Sequence, residues 1–255
     1  MILEICVDSV ESAIAANAGG ADRVELCSAL REGGITPSIG LISAVRHAVS
    51  LAVFVLVRPR GGDFVYTEHE VEVMREDIRM ARKAGADGVV LGVLTADGRV
   101  DVERTRSLIE LARPLQVTFH RAFDVSVDLD VSLEEVIRSG ADRLLTSGGE
   151  PNALLGMDRI AKLRAAAGDR LSVMAGAGIR QSNLRKLVES TGVCEIHTSL
   201  STKTTNSTVH AGSRMKIGSH ADEFSRFLVV EKDVRRLRST LQAIRSGAEE
   251  EYSLS

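Results

Sequence analysis

The chain has 255 residues, 44% hydrophobic and 26% charged, with 35 acidic against 32 basic side chains and a formal net charge of −3. That balance suits one globular domain with a sizeable core, and it offers no basic field for nucleic acid or an anionic membrane. No run approaches about 18 uninterrupted apolar residues, and Met1-Ile-Leu-Glu-Ile-Cys-Val7 lacks the basic and long apolar regions of a signal peptide, so membrane residence and secretion are not expected.

The first strand-like run is Ile2 to Val7, followed by a helical pattern from Ser9 to Ala18. Gly20-Ala-Asp-Arg-Val-Glu-Leu26 gives a second strand, and helix Ser38 to Ala48 leads to strand Leu51 to Val57. Helix Glu68 to Ala84, strand segment Gly85-Ala-Asp-Gly-Val-Val-Leu91 and helix Val102 to Ala112 come next. Then follow strand Leu115 to His120, helix Leu133 to Ser139 and Gly140-Ala-Asp-Arg-Leu-Leu-Thr146. Helix Asn152 to Ala167, strand Leu171 to Ala175, helix Gln181 to Ser190, a strand after Gly192 and helix Lys232 to Ser246 complete the series. Thr67 with Glu70, and Ser132 with Glu135, have capping-box spacing.

The three Gly-Ala-Asp segments, with Gly192-Val-Cys-Glu as a weaker fourth copy, recur at intervals of roughly 50 to 65 residues, the size of a βαβα quarter. Each glycine stands where a left-handed residue ends a helix. Eight strand–helix units with four-fold internal similarity predict a single-domain (β/α)8 TIM barrel over residues 1–248. No Gly-x-Gly-x-x-Gly follows the first strand, which argues against a dinucleotide fold. The stretch from about Ser199 to Arg226 reads as a long functional loop, and the acidic tail 249–255 as disordered.

Strand parity gives the first sign of function. Leu3, Ile5 and Val7 share one face while Glu4 and Cys6 share the other, and Val24 and Leu26 oppose Arg23, Glu25 and Cys27. Val53, Val55 and Val57 oppose Leu56, Arg58 and Arg60; Val117 and Phe119 oppose Gln116, Thr118 and His120; Ile196 opposes Glu195, His197 and Ser199. Surrounding helices must cover the apolar faces, so the polar faces belong in the lumen. There Glu4, Glu25 and Glu195 are expected to pair with Arg23, Arg58 or one another's donors, since an unpaired buried charge costs several kcal/mol.

A salt-bridge network that merely fills the barrel explains part of this pattern. Position argues for more, because Cys6, Cys27, Arg58, Arg60, His120, Asp124, Ser147, His197 and Ser199 fall at or beyond strand C-termini, the face that carries barrel active sites. One arrangement is an enzyme for a small anionic, even phosphorylated, substrate. His120 would be its acid or base, Glu25 or Asp124 would orient it, and Arg58 and Arg60 would clamp the anion. Glu4, Ser147 and His197 would help to bind the substrate, and Gly176 and Gly178 would form a phosphate nest. His120 and His197 with carboxylates also allow a divalent-metal site. The widely spaced Cys6, Cys27 and Cys194 are a poor disulfide framework and suit a reducing compartment.

Leu3-Glu-Ile-Cys-Val-Asp-Ser9, Gly19-Gly-Ala-Asp-Arg-Val-Glu-Leu-Cys27, Gly33-Gly-Ile-Thr-Pro-Ser38, Arg58-Pro-Arg-Gly-Gly-Asp-Phe64, Thr118-Phe-His-Arg-Ala-Phe-Asp124 and Leu145-Thr-Ser-Gly148 occur in this order. Through them the chain resembles the CutC copper-homeostasis family over nearly its whole length. The resemblance implies a cytoplasmic (β/α)8 barrel, a homo-oligomer, and Cu(I) held by Cys6 and Cys27. These cysteines fall on neighbouring parallel strands about 4.8 Å apart, where two sulfurs at matching height could hold one soft ion between them; the alternative is that both pack as small buried hydrophobes. Thr198 stands where relatives tend to carry serine or cysteine, Cys194 belongs at the opposite end of the barrel, and no Cys-x-x-Cys transfer motif occurs.

Overall fold

The computed structural model describes residues 1–204 and 225–247. Eight parallel strands close into a barrel in sequential order: β1 (Ile2–Val7), β2 (Arg23–Leu26), β3 (Ala52–Leu56), β4 (Gly88–Leu91), β5 (Gln116–Phe119), β6 (Arg143–Thr146), β7 (Ser172–Ala175) and β8 (Glu195–Thr198). The helices are α1 (Val10–Ala18), α2 (Ile39–Ala48), α3 (Glu68–Lys83), α4 (Val102–Ala112), α5 (Leu129–Ser139), α6 (Met157–Ala167), α7 (Gln181–Thr191) and α8 (Glu231–Ser246). This is a single-domain TIM barrel. None of the described helices is long and apolar enough to cross a membrane.

Beyond β8, Ser201–Thr204 (β9) pairs antiparallel with Arg226–Val229 (β10), so the ends of the long connection are regular strands rather than loop. The middle of that connection, with His210 and His220, and the tail 249–255 lie outside the described residues.

The Gly-Ala-Asp repeat has a physical basis that three copies share. Carboxylates of Asp22, Asp87 and Asp142 accept the backbone N–H of the second residue of the preceding odd strands, from Leu3 (2.7 Å), Val53 (2.8 Å) and Val117 (2.7 Å). Each is also held by an arginine of a surrounding segment: Arg238, Arg46 and Arg113. Charge-assisted bonds of this kind contribute about 1.5–3 kcal/mol each and satisfy donors that the sheet leaves over. In the fourth copy Cys194 occupies the aspartate's position and is exposed.

The residue after that position points into the barrel in all four copies. Arg23, Arg143 and Glu195 meet there: Glu195 Oε2 accepts from Arg23 at 2.7 Å and from Arg143 at 2.5 Å, and Glu4 accepts from Arg23. The second copy supplies Gly88, where a methyl group would lie 2.6 Å from the Phe54 ring. Phe54 therefore lies across the floor, with the guanidinium carbons of Arg23 and Arg143 4.7 and 5.4 Å from its centroid. Arg143, not named among the lumen residues by strand parity above, occupies the position in its repeat that Arg23 occupies in the first.

The apolar faces of the strands pack outward against the helices in one continuous core, while Cys6, Cys27, Phe54, Leu56 and Val90 form a separate cluster inside the barrel. Thr67 and Glu70 form the expected capping box. Ser132 and Glu135 do not. α5 starts at Leu129, capped by Asp128, and Glu135 is buried against Arg99 and the Val100 N–H. α6 likewise starts at Met157 instead of Asn152.

Candidate metal and anion site at the barrel mouth

A cavity of about 320 Å³ opens at the C-terminal ends of the strands. Of the residues singled out in the sequence, Cys6, Glu25, Cys27, Arg58, His120, Gly178, His197 and Ser199 line it. Leu30, Leu56, Phe64, Leu145, Arg121 and Arg180 complete most of the wall.

The thiol pair lies deep in this cavity. Register sets Cys6 level with Glu25, so Cys27 stands two residues further along β2 and the backbones are not at matching height. The side chains close the offset, and the two sulfurs lie 3.7 Å apart. An inter-strand spacing of about 4.8 Å combined with a two-residue rise of about 6.6 Å separates the Cα atoms by about 8 Å, more than the ~7 Å a disulfide tolerates without backbone movement. The pair is thus built for close approach without easy bridging.

Cys6, Glu25 and Cys27 place one ligand atom each within 4.8 Å of the others, and they form the one such group of three or more among the described residues. Hydrogen bonding from Cys27 holds the Cys6 thiol at about 6, against burial, with His197 adding to the lowering. Burial and the neighbouring Cys6 push Cys27 well above the usual thiol range. Burial, reinforced by Cys6, likewise raises Glu25 well above the carboxylate range. Glu25, for which an arginine was one expected partner, lies beside the thiols with His197 Nε2 3.7 Å away.

His197 connects this layer to the floor. Its Nδ1 lies 2.7 Å from Glu4 Oε1 and its Nε2 3.7 Å from Glu25 Oε2. Burial opposes protonation of the ring, but Cys6, Glu4 and Glu25 outweigh it and raise its pKa well above the ordinary value. Glu4 sits beneath, where burial is outweighed by Arg23 and His197 and its pKa falls to about 2.

His120 lies on the other wall. Its Nδ1 accepts the Ala122 N–H (3.2 Å) at the start of a 3-10 turn, Arg121–Val125, which leaves the neutral ring's proton on Nε2. Burial and then the Arg58 charge hold its pKa at about 3. The neutral ring is therefore a hydrogen-bond donor at neutral pH, not a poised acid or base. His120 and His197 are not gathered into one ligand set.

The remaining expected residues serve the loops. Arg58 donates to the carbonyls of Glu32, Gly34 and Gly62 and meets no lumen carboxylate; it ties two loops to the mouth. Arg60 turns outward to Glu70 and Asp63 and does not reach the cavity. Asp124 accepts from Arg121, Thr146, Ser147 and Gly149, so it fixes the β6 loop rather than orienting His120. Ser147 is completely buried in that network. Gly176 makes room for Leu145, since a methyl group there would lie 2.5 Å from its Cδ1. Arg121 and Arg180 were not singled out as site residues. The first lies inside the quoted Thr118 to Asp124 motif, and the second directly precedes α7, two residues after Gly178.

The sequence profile described as the CutC family matches residues 1–202. A Homo sapiens relative named copper homeostasis protein cutC homolog is 46% identical over 243 residues, 95% of this chain and 88% of the relative. A family protein CutC from Chromobacterium violaceum is 46% identical over 241 residues, 94% of this chain and 98% of the relative. A crystal structure of a copper homeostasis protein CutC from Streptococcus agalactiae superposes with a TM-score of 0.74 at 32% identity, covering 78% of this chain and 98% of that one. Thiamine phosphate pyrophosphorylase from Pyrococcus furiosus, at 19% identity and a TM-score of 0.59, shares the fold alone. On the profile match and these identities, the chain belongs to the CutC family.

Proposed function

We propose that this protein binds Cu(I) in copper homeostasis, with Cys6 and Cys27 as the ligands. The observation that carries the reading is the pair of buried, unbridged sulfurs 3.7 Å apart. Soft thiolates select Cu(I), and the lowered pKa of Cys6 supplies one of them near neutral pH. Glu25 stands next to the pair as a further ligand, with His197 Nε2 3.7 Å from its carboxyl group. Names carried by the human and bacterial relatives agree with this assignment.

An anaerobic titration against a chromogenic Cu(I) chelator tests it. A single Cu(I) should bind per chain, and binding should be lost in Cys6→Ser and in Cys27→Ser. Stoichiometric binding that survives in the double variant overturns the assignment.

The free thiols fit a reducing cytosol, where we place the protein. We also assign it as a homo-oligomer, through the exposed Val125 and Val127 before α5, Val131 in its first turn, and Leu154 and Leu155 before α6. Light scattering should give a multiple of the chain mass that falls in Val127→Asp with Leu155→Asp. A monomeric wild type refutes the assembly.

A further inference from the structure

We infer that the mouth cavity is also a binding site for a small organic carboxylate, received by the Nε2–H of His120 and the arginines around it. The inference rests on the opposite wall from the thiol pair and stands independently of the copper assignment.

His120 is only 6% exposed, and its Nε2 is buried with no hydrogen-bond partner, while Nδ1 is occupied by the Ala122 N–H. A buried N–H without an acceptor costs about 1–3 kcal/mol, so a group kept in that state is held for a partner. The ring is also fixed in place. Gly92 at the end of β4 lies against it so closely that a methyl group there would fall 2.6 Å from Nδ1, and Phe64 packs on it with centroids 5.0 Å apart.

The charge around this donor selects an anion. Arg58, Arg121 and Arg180 line the same cavity, against Glu25 as the one acidic side chain in its lining. Arg58 stacks on the other side of the contact, its guanidinium carbon 4.9 Å from the Phe64 centroid. Arg58 Nε, like His120 Nε2, is buried without a hydrogen-bond partner, so among the residues lining the cavity these two donors are left for a ligand.

Size and the remaining wall narrow the class. A volume of about 320 Å³ is at the small end of ligand sites. Leu30, Leu56, Phe64 and Leu145 provide an apolar lining for a short carbon chain. One neutral donor backed by planar guanidinium groups suits a carboxylate, which accepts such forks in its own plane. A neutral imidazole used as a fixed donor to a ligand oxygen is an established catalytic device.

Acetate, pyruvate and inorganic phosphate serve as probes in calorimetric titrations of the full chain, with long-range 1H–15N spectra of the histidine rings. Pyruvate or acetate should bind saturably and shift the His120 Nε2–H resonance in the wild type. His120→Phe, which keeps the ring against Phe64 but removes the donor, should weaken binding by about tenfold. Binding should persist in Cys27→Ser, which separates this site from copper binding. Three results each overturn the inference: no saturable carboxylate binding in the wild type, binding that leaves the His120 resonance unmoved, or phosphate binding more tightly than either carboxylate.

Discussion

Replacing Arg23 with methionine tests whether the charged floor is held as a unit. Arg23 donates to Glu4 and, at 2.7 Å, to Glu195, with its side chain 6% exposed and that of Glu4 1% exposed. In Arg23→Met, Glu195 keeps Arg143 at 2.5 Å and Ser172 at 2.7 Å, but Glu4 keeps only His197 at 2.7 Å. Breaking a buried pair from one side costs about 3–5 kcal/mol. For a chain of this size that lowers Tm by roughly 6–20 °C, at about 2–4 °C per kcal/mol. Chemical unfolding at pH 7, followed by circular dichroism, measures the loss. Adding Glu4→Gln removes the stranded charge, so the double variant should regain at least about 1 kcal/mol over the additive sum. If Arg23→Met unfolds within about 1 kcal/mol of wild type, the floor is not an interdependent charge network.

In a Cys194→Ser background, absorbance at 240 nm should reveal a thiolate with a midpoint near 6. Cys27→Ala should raise it by at least about one unit, since the Cys27 hydrogen bond is the largest lowering influence; an unchanged midpoint refutes that cause. His120 titrates near 3 when folded and near 6.5 otherwise, so below 6.5 the unfolded chain binds the extra proton. Its contribution is complete above pH 6.5 and is lost as pH falls toward 3, by up to about 1.4 kcal/mol per unit. Urea midpoints should therefore drop more steeply for wild type than for His120→Phe between pH 6.5 and 5, and parallel profiles would contradict the buried neutral ring. Gly88→Ala brings a methyl group to 2.6 Å from Phe54 and should cost about 1–3 kcal/mol. Adding Phe54→Leu should recover part of that loss in the same unfolding assay, and no recovery would mean that the ring is not the obstacle.

Much of the architecture was written in the chain itself. Helix-ending glycines, alternating strand faces and the Gly-Ala-Asp repeat depend on neighbours in sequence, and these local rules placed Cys6, Glu25, Cys27, His120 and His197 inside one barrel. What they could not specify was partner choice across distant segments. Ser132 and Glu135 have capping spacing, yet Asp128 starts α5 a turn earlier, and Glu135 answers Arg99 from 36 residues away. Arg58 and Arg60 sit two residues apart, yet one reaches loop carbonyls and the other a helix start. Register alone decided that Cys6 stands opposite Glu25 while its sulfur meets Cys27. The Ala122 N–H, presented by the turn after β5, decided which nitrogen of His120 carries its proton. Periodicity is a property of adjacent residues and survives in the sequence, whereas register, partner and tautomer are set by closure of the barrel and exist only once all eight strands have met.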